Sequence, residues 1–176
     1  PADISSATFF MVAAAIAPGS DLLIEHVGIN PTRIGVINIL RLMGADITLN
    51  NENEVGGEPV ADIRVRYAPL KGIHVPEDQV PLAIDEFPAI FVAAACAEGQ
   101  TVVTGAEELR VKESDRIQVM VDGLKALGAD IEGTSDGAVI NGGQLEGGAV
   151  DSHGDHRIAM AFCVAALLSH GEIKIN

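Results

Sequence analysis

Apolar positions along this chain follow a pattern that changes period and then repeats. From Ile4 to Ala17 they fill nearly every place, interrupted only by Ser5, Ser6 and Thr8. A run with no polar stripe predicts a helix buried on all sides. Asp3 or Ser5 is suited to its N-cap, and Pro18-Gly19 to its end. Leu22 to Val27 predicts a strand. Asn30-Pro31 predicts a second helix, with Asn at the cap and Pro at the first helical position, reaching about Met43 and stopping at Gly44. Ala45 to Leu49 and Ala61 to Tyr67 predict strands on either side of a turn at Asn50 to Gly57.

The same order then returns. Asp85 opens an apolar helix through Ala97 that stops at Gly99, and Pro88 is tolerated because it falls in the first turn. Gln100 to Gly105 predicts a strand. Apolar residues at Ile117, Met120, Val121, Leu124 and Leu127 have helical spacing, which places a second helix from Ser114 to Leu127. Gly128 stops it, and Ala129 to Glu132 pairs with Ala138 to Asn141. The echoes are direct: Gly44-Ala45-Asp46-Ile47 matches Gly128-Ala129-Asp130-Ile131, and Arg33 falls where Arg116 falls. A third copy opens at Asp155-His156-Arg157, with a helix to Leu168, a stop at Gly171 and a strand at Glu172 to Ile175. Gly142-Gly143 and Gly147-Gly148 read as turns.

These elements predict an α+β fold in a single unit over residues 1–176, built from one repeat at about 3–67, another at about 71–141 and an incomplete third at about 149–176. A period of about 70–85 residues is longer than that of a stacked array, so the copies are expected around a shared axis. The buried helices then lie side by side and parallel, with Asp3 and Ser5, Asp85, and Asp155 at one end, where the positive ends of the helix dipoles converge. The chain opens at Pro1, not Met, and stops just after a strand-like run, which reads as a fragment.

Composition narrows the picture. Hydrophobic residues make up 48% of the chain and aromatics 3%, so the core is built from Ala, Val, Ile and Leu. The longest apolar run, Ile158 to Leu168, falls short of the roughly 20 residues of a membrane span. Cys96 and Cys163 sit in Ala-rich apolar runs and read as core residues in a reducing, cytoplasmic compartment. The net charge of −14 argues against nucleic acid as partner. An acidic protein that binds an anion has to concentrate its cations, and three of the eleven Lys and Arg lie between Arg110 and Arg116.

That stretch, Leu109-Arg110-Val111-Lys112-Glu113-Ser114-Asp115-Arg116, joins a strand to a helix start. A mixed-sign charged loop is usually a solvated surface. Here, however, Ser114 can cap the helix with Asp115 in its first turn, leaving free N–H groups beside Arg110, Lys112 and Arg116 as an anion site with Glu113 placed to carry a proton. Asp85-Glu86 reads either as a helix cap or as a general base at the same surface. Asp151, His153, Asp155 and His156 have the spacing of a metallohydrolase ligand set, but Asp151 replaces its first His and Arg157 would repel a cation. The better reading is an Asp155-His156-Arg157 helix start that offers cationic donors to an oxyanion. His26, His74 and His170 stand alone, and no phosphate-binding glycine loop is present. A non-catalytic anion-binding module is the alternative to an enzyme.

Arg110-Val111-Lys112-Glu113-Ser114-Asp115-Arg116 resembles the signature of the 5-enolpyruvylshikimate-3-phosphate synthase family. Asp155-His156-Arg157-Ile158-Ala159-Met160, Asp3-Ile4-Ser5-Ser6-Ala7 and Ala83-Ile84-Asp85-Glu86-Phe87-Pro88 are similar to its other motifs. The resemblance covers the whole chain and implies the two-lobed enolpyruvyl transferase fold, an inside-out α/β barrel-like design. Each lobe has βαβαββ units around buried parallel helices, and this chain is most of the C-terminal lobe. It implies transfer of the enolpyruvyl group of phosphoenolpyruvate to the 5-hydroxyl of shikimate-3-phosphate, without cofactor or metal, in partnership with the absent N-terminal lobe. By this resemblance Asp85 takes the hydroxyl proton, Glu113 transfers a proton at the methylene carbon, Lys112 contacts shikimate-3-phosphate, and Arg116 and Arg157 clamp phosphoenolpyruvate beside His156. Whether Asp85 or its neighbour Glu86 faces the site depends on helix phase and stays open.

Overall fold

A computed structural model describes residues 1–176. Helix α1 (Ile4–Ile16) is followed by β1 (Asp21–Gly28), α2 (Gly35–Leu42), β2 (Asp46–Val55) and β3 (Glu58–Arg66). Then come α3 (Phe87–Cys96), β4 (Gln100–Val103), α4 (Arg116–Ala126), β5 (Asp130–Thr134) and β6 (Gly137–Asn141). The chain continues through β7 (Leu145–Val150), α5 (His156–Ala165) and β8 (Ser169–Ile175). Two antiparallel three-stranded sheets share one strand order, β1-β3-β2 and β4-β6-β5, and β7 pairs in parallel with β8.

α1, α3 and α5 pack against one another. Their C-terminal ends (Ile16, Cys96 and Leu167) line one cavity of about 720 Å³. Their N-terminal ends meet at the opposite end, where Ser5 of α1 bonds Glu86 ahead of α3, and Arg116 bonds both Asp85 and Asp155, the N-cap of α5. The three helices therefore run in the same direction. Every residue of α3 from Phe87 to Ala95 is buried, as an apolar run without a polar stripe requires. α1 and α5 depart from that expectation: Phe10 in α1, and Met160 and Cys163 on one face of α5, are exposed. Gly44 and Gly128 end α2 and α4 at φ +99° and +84°, the left-handed conformation that glycine adopts without steric cost.

Four local expectations change. The Asn30 side chain accepts from Thr32 N–H at 2.9 Å and the Asn30 carbonyl accepts from Arg33 N–H at 2.8 Å, so Asn30-Pro31 makes a tight turn and α2 starts later, at Gly35. β2 runs on to Val55, and only Gly56-Gly57 turn the hairpin. Gly147-Gly148 lie inside β7: a Cβ on Gly147 would stand 2.7 Å from the Glu172 carbonyl oxygen, so glycine here allows a close strand approach and makes no turn. Asp115, not Ser114, caps α4, accepting from Gln118 N–H at 3.0 Å.

Candidate active site

The N-terminal ends of α3, α4 and α5 meet around one buried guanidinium. Arg116 is the first residue of α4, and its side chain is 1% exposed. Its Nε donates to Asp155 Oδ2 at 2.8 Å, its Nη1 to Asp85 Oδ1 at 3.3 Å and its Nη2 to Glu113 Oε2 at 2.6 Å. All three nitrogens of the fork are occupied. Asp155 is fully buried and also accepts from the Ser114 hydroxyl at 2.8 Å and from Arg157 N–H at 3.1 Å. Burial pushes the Asp155 carboxyl up, but hydrogen bonds from Arg116 and Ser114, the Arg116 charge and the Arg157 amide outweigh it and hold the group below its ordinary value.

Asp85 precedes α3, in an irregular 3-10 turn over Pro81–Glu86. Its carboxylate lies 3.4 Å from Lys112 Nζ as well as beside Arg116. Lys112 also bonds Glu108 Oε1 at 3.0 Å; that bond comes first among the causes that raise the ammonium above its usual value, and the Asp85 charge adds to it against a burial penalty. Glu86 is buried and points to the Ser5 hydroxyl. The turn, not a helix phase, thus directs Asp85 to the cation cluster and Glu86 to the neighbouring helix.

Asp85, Lys112, Glu113 and Arg116 form one bonded cluster, whereas Arg157 reaches it only by its backbone N–H, which Asp155 caps at the start of α5, and its guanidinium makes no hydrogen bond or ion pair there. His156 is exposed. Arg110 does not belong to the anion-facing set that the sequence suggests. It donates to the Thr134 and Ser135 carbonyls and to Asp115, so it ties the loop to the β5–β6 hairpin. Asp151, His153, Asp155 and His156 form no metal-holding group. Asp151 accepts from His153 N–H at 2.8 Å, and Asp155 is committed to Arg116.

The exposed carboxylates matter chemically. Glu113 is 65% exposed and Asp85 39% exposed, so both can leave Arg116, whereas Asp155 cannot. An incoming planar anion would replace exposed carboxylates on a fork whose back is fixed by Asp155. Arg suits that exchange because its geometry matches a carboxylate. Sequence reading placed Ser5 at this end of the helices but missed its bonds to Glu86 and Arg33; the correspondence of Arg33 with Arg116 was the available signal.

Parallel buried helices with converging N-termini, flanked by sheets of one recurring strand order, make this chain one lobe of the enolpyruvyl transferase fold. The enolpyruvyl transferase NikO from Streptomyces tendae shares that fold, with a TM-score of 0.64 at 15% identity over 98% of this chain and 38% of its own. Residues 1–176 match the EPSP synthase (3-phosphoshikimate 1-carboxyvinyltransferase) family model, and the chain belongs to that family. The 3-phosphoshikimate 1-carboxyvinyltransferase of Acidithiobacillus ferrooxidans is 70% identical over 175 residues, 99% of this chain and 40% of the relative. The EPSP synthase of Acinetobacter baumannii superposes with a TM-score of 0.98 at 63% identity, over all of this chain and 42% of its own. The chain thus spans about 40% of the length of the relatives it matches. No helix is long and apolar enough to cross a membrane.

Proposed function

We propose that this chain is a catalytic lobe of a 3-phosphoshikimate 1-carboxyvinyltransferase, acting with a second lobe on phosphoenolpyruvate and shikimate-3-phosphate. The observation that carries this reading is the buried Arg116 fork, which faces two displaceable carboxylates, Asp85 and Glu113, next to Lys112.

In the first step the 5-hydroxyl oxygen of shikimate-3-phosphate bonds to C2 of phosphoenolpyruvate. Asp85 takes the hydroxyl proton, and Glu113 delivers a proton to C3, which becomes a methyl group. In the second step the C2–O bond to phosphate breaks and phosphate leaves with the electron pair. The methyl group returns a proton to Glu113, Asp85 passes the hydroxyl proton to the departing phosphate, and the double bond re-forms in the product. Arg116 and Arg157 hold the phosphoenolpyruvate carboxylate with His156 at their edge, and Lys112 holds shikimate-3-phosphate. Every group needed from this lobe is a side chain, so the reading calls for no metal or organic cofactor. We also take residues 3–67, 71–141 and 149–176 as the repeated units of one lobe, the last incomplete.

Both lobes must close to exclude water, so this chain alone is expected to be inactive. The test is phosphate release from the two substrates with this chain joined to its complementary lobe. Release that requires both substrates and is lost in Arg157→Ala supports the proposal. Folded, assembled protein without release refutes it. Steady release by the isolated chain contradicts the need for closure.

A further inference from the structure

Adjacent residues Asp85 and Glu86 serve different neighbours. Asp85 lies beside Lys112 and Arg116, whereas Glu86 is 5% exposed between the first turns of α1 and α3. The Ser5 hydroxyl donates to Glu86 Oε1 at 2.5 Å. Arg33 Nη2 donates to the same hydroxyl oxygen at 2.7 Å and to Asp3, the N-cap of α1, at 2.9 Å. None of Ser5, Arg33 and Glu86 takes part in the chemistry proposed above.

The turn that carries the pair has little internal support. Pro81–Glu86 is 3-10 and is interrupted by Ala83 at φ −137°, so tertiary contacts must hold it. α2 closes one side. A Cβ on Gly35 would stand 2.7 Å from the Leu82 carbonyl carbon and 2.9 Å from Ala83 Cβ, and Asn38 donates to the Gln79 side chain at 2.9 Å. Ser5 closes the other side through Glu86. The pattern repeats the one around Arg116. Arg116 links Asp85, ahead of α3, to Asp155, the cap of α5. Arg33 links Asp3, the cap of α1, through Ser5 to Glu86, also ahead of α3. The turn is therefore the meeting point of two arginine bridges, and its two carboxyls are the attachment points.

We propose that Glu86 is a positioning residue: anchored to Ser5 and Arg33, it fixes the turn from which Asp85 reaches Lys112 and Arg116. This rests on the role assigned to Asp85 above. Burial pushes the Glu86 carboxyl up against the Ser5 hydrogen bond; the Asp85 charge adds to the rise, and Arg33 and Arg157 oppose it. Glutamine keeps an oxygen for Ser5 and removes the buried acid, so it preserves the anchor.

The test compares Asp85→Asn, Glu86→Ala, Glu86→Gln and Ser5→Ala in the complete two-lobed protein. A displaced reacting group costs up to about 100-fold. Glu86→Ala and Ser5→Ala are expected to lower kcat roughly 10- to 100-fold with little change in KM, and Glu86→Gln to restore most of the loss. Normal kcat in Glu86→Ala, with turnover lost in Asp85→Asn, overturns the positioning role and leaves that of Asp85 intact. Wild-type turnover in Asp85→Asn overturns both. Should Glu86→Ala fail to fold, Ser5→Ala decides, since it removes only a hydroxyl: unchanged kcat there refutes the anchor.

Discussion

Asp155→Asn tests the central electrostatic argument, because it changes one oxygen and removes one charge. Asn still caps a helix well, so α5 loses little at its N-terminus. The cost falls on Arg116, whose side chain is 1% exposed and would lose its only fully buried counter-ion. Removing one partner of a buried pair typically costs about 3–5 kcal/mol. Asp85 and Glu113 still touch the guanidinium here, so the lower figure, about 3 kcal/mol, is expected. With a urea slope of about 2 kcal/mol per M, the unfolding midpoint falls by roughly 1.5 M at neutral pH. The pH dependence is more diagnostic. Asp155 has a folded value below its unfolded one. Its stabilisation is therefore full above the unfolded value, near 3.9, and is lost as pH falls through the folded value. The gap between wild type and variant should be widest at neutral pH and close in acid, where wild-type Asp155 is itself protonated. Urea unfolding followed by far-ultraviolet circular dichroism at several pH values measures it. A neutral-pH gap below about 1 kcal/mol, or one unchanged in acid, would refute the buried-pair argument.

Glu113→Gln in the complete protein should lower kcat by about 10²- to 10⁴-fold, as expected for a proton carrier, with KM little changed; steady-state kinetics checks this. Gly123→Ala should destabilise the chain by about 1–3 kcal/mol in thermal or urea unfolding, because the new Cβ would meet the Phe162 ring at 2.2 Å where α4 packs on α5. The two thiols should separate in a timed reaction with a disulfide reagent. Cys163 is exposed and reacts fast, whereas burial pushes the Cys96 thiol up to about 11 and leaves it slow near neutral pH; equal rates would contradict that burial.

Much of the fold could be read locally. A helix without a polar stripe has to be buried, and α3 is buried throughout its first nine residues. Gly44 and Gly128 mark helix ends because few other residues take the left-handed backbone there. The charged stretch ending at Arg116 carries Lys112, Glu113 and Arg116 within five residues, so their proximity follows from spacing. The misreadings share one origin. Asn30-Pro31 has the residues of a helix start, but its side chain is satisfied inside a turn. Gly147-Gly148 has the look of a turn, but its glycines make room for β8, more than twenty residues on.

The sequence alone determined most element types, the recurring order, the net acidity and the stretch in which the cations gather, because period, caps and charge are local properties. Tertiary structure decided which charges are paired in the interior and which stay exposed. Arg110 turns to a hairpin, Asp155 is spent on Arg116 across 39 residues, and Glu86 is spent on Ser5 across 81. Nothing near these residues in the chain encodes such pairings. A buried charge needs a partner, and only the packing of the helices against one another, α4 included, determines which one is within reach.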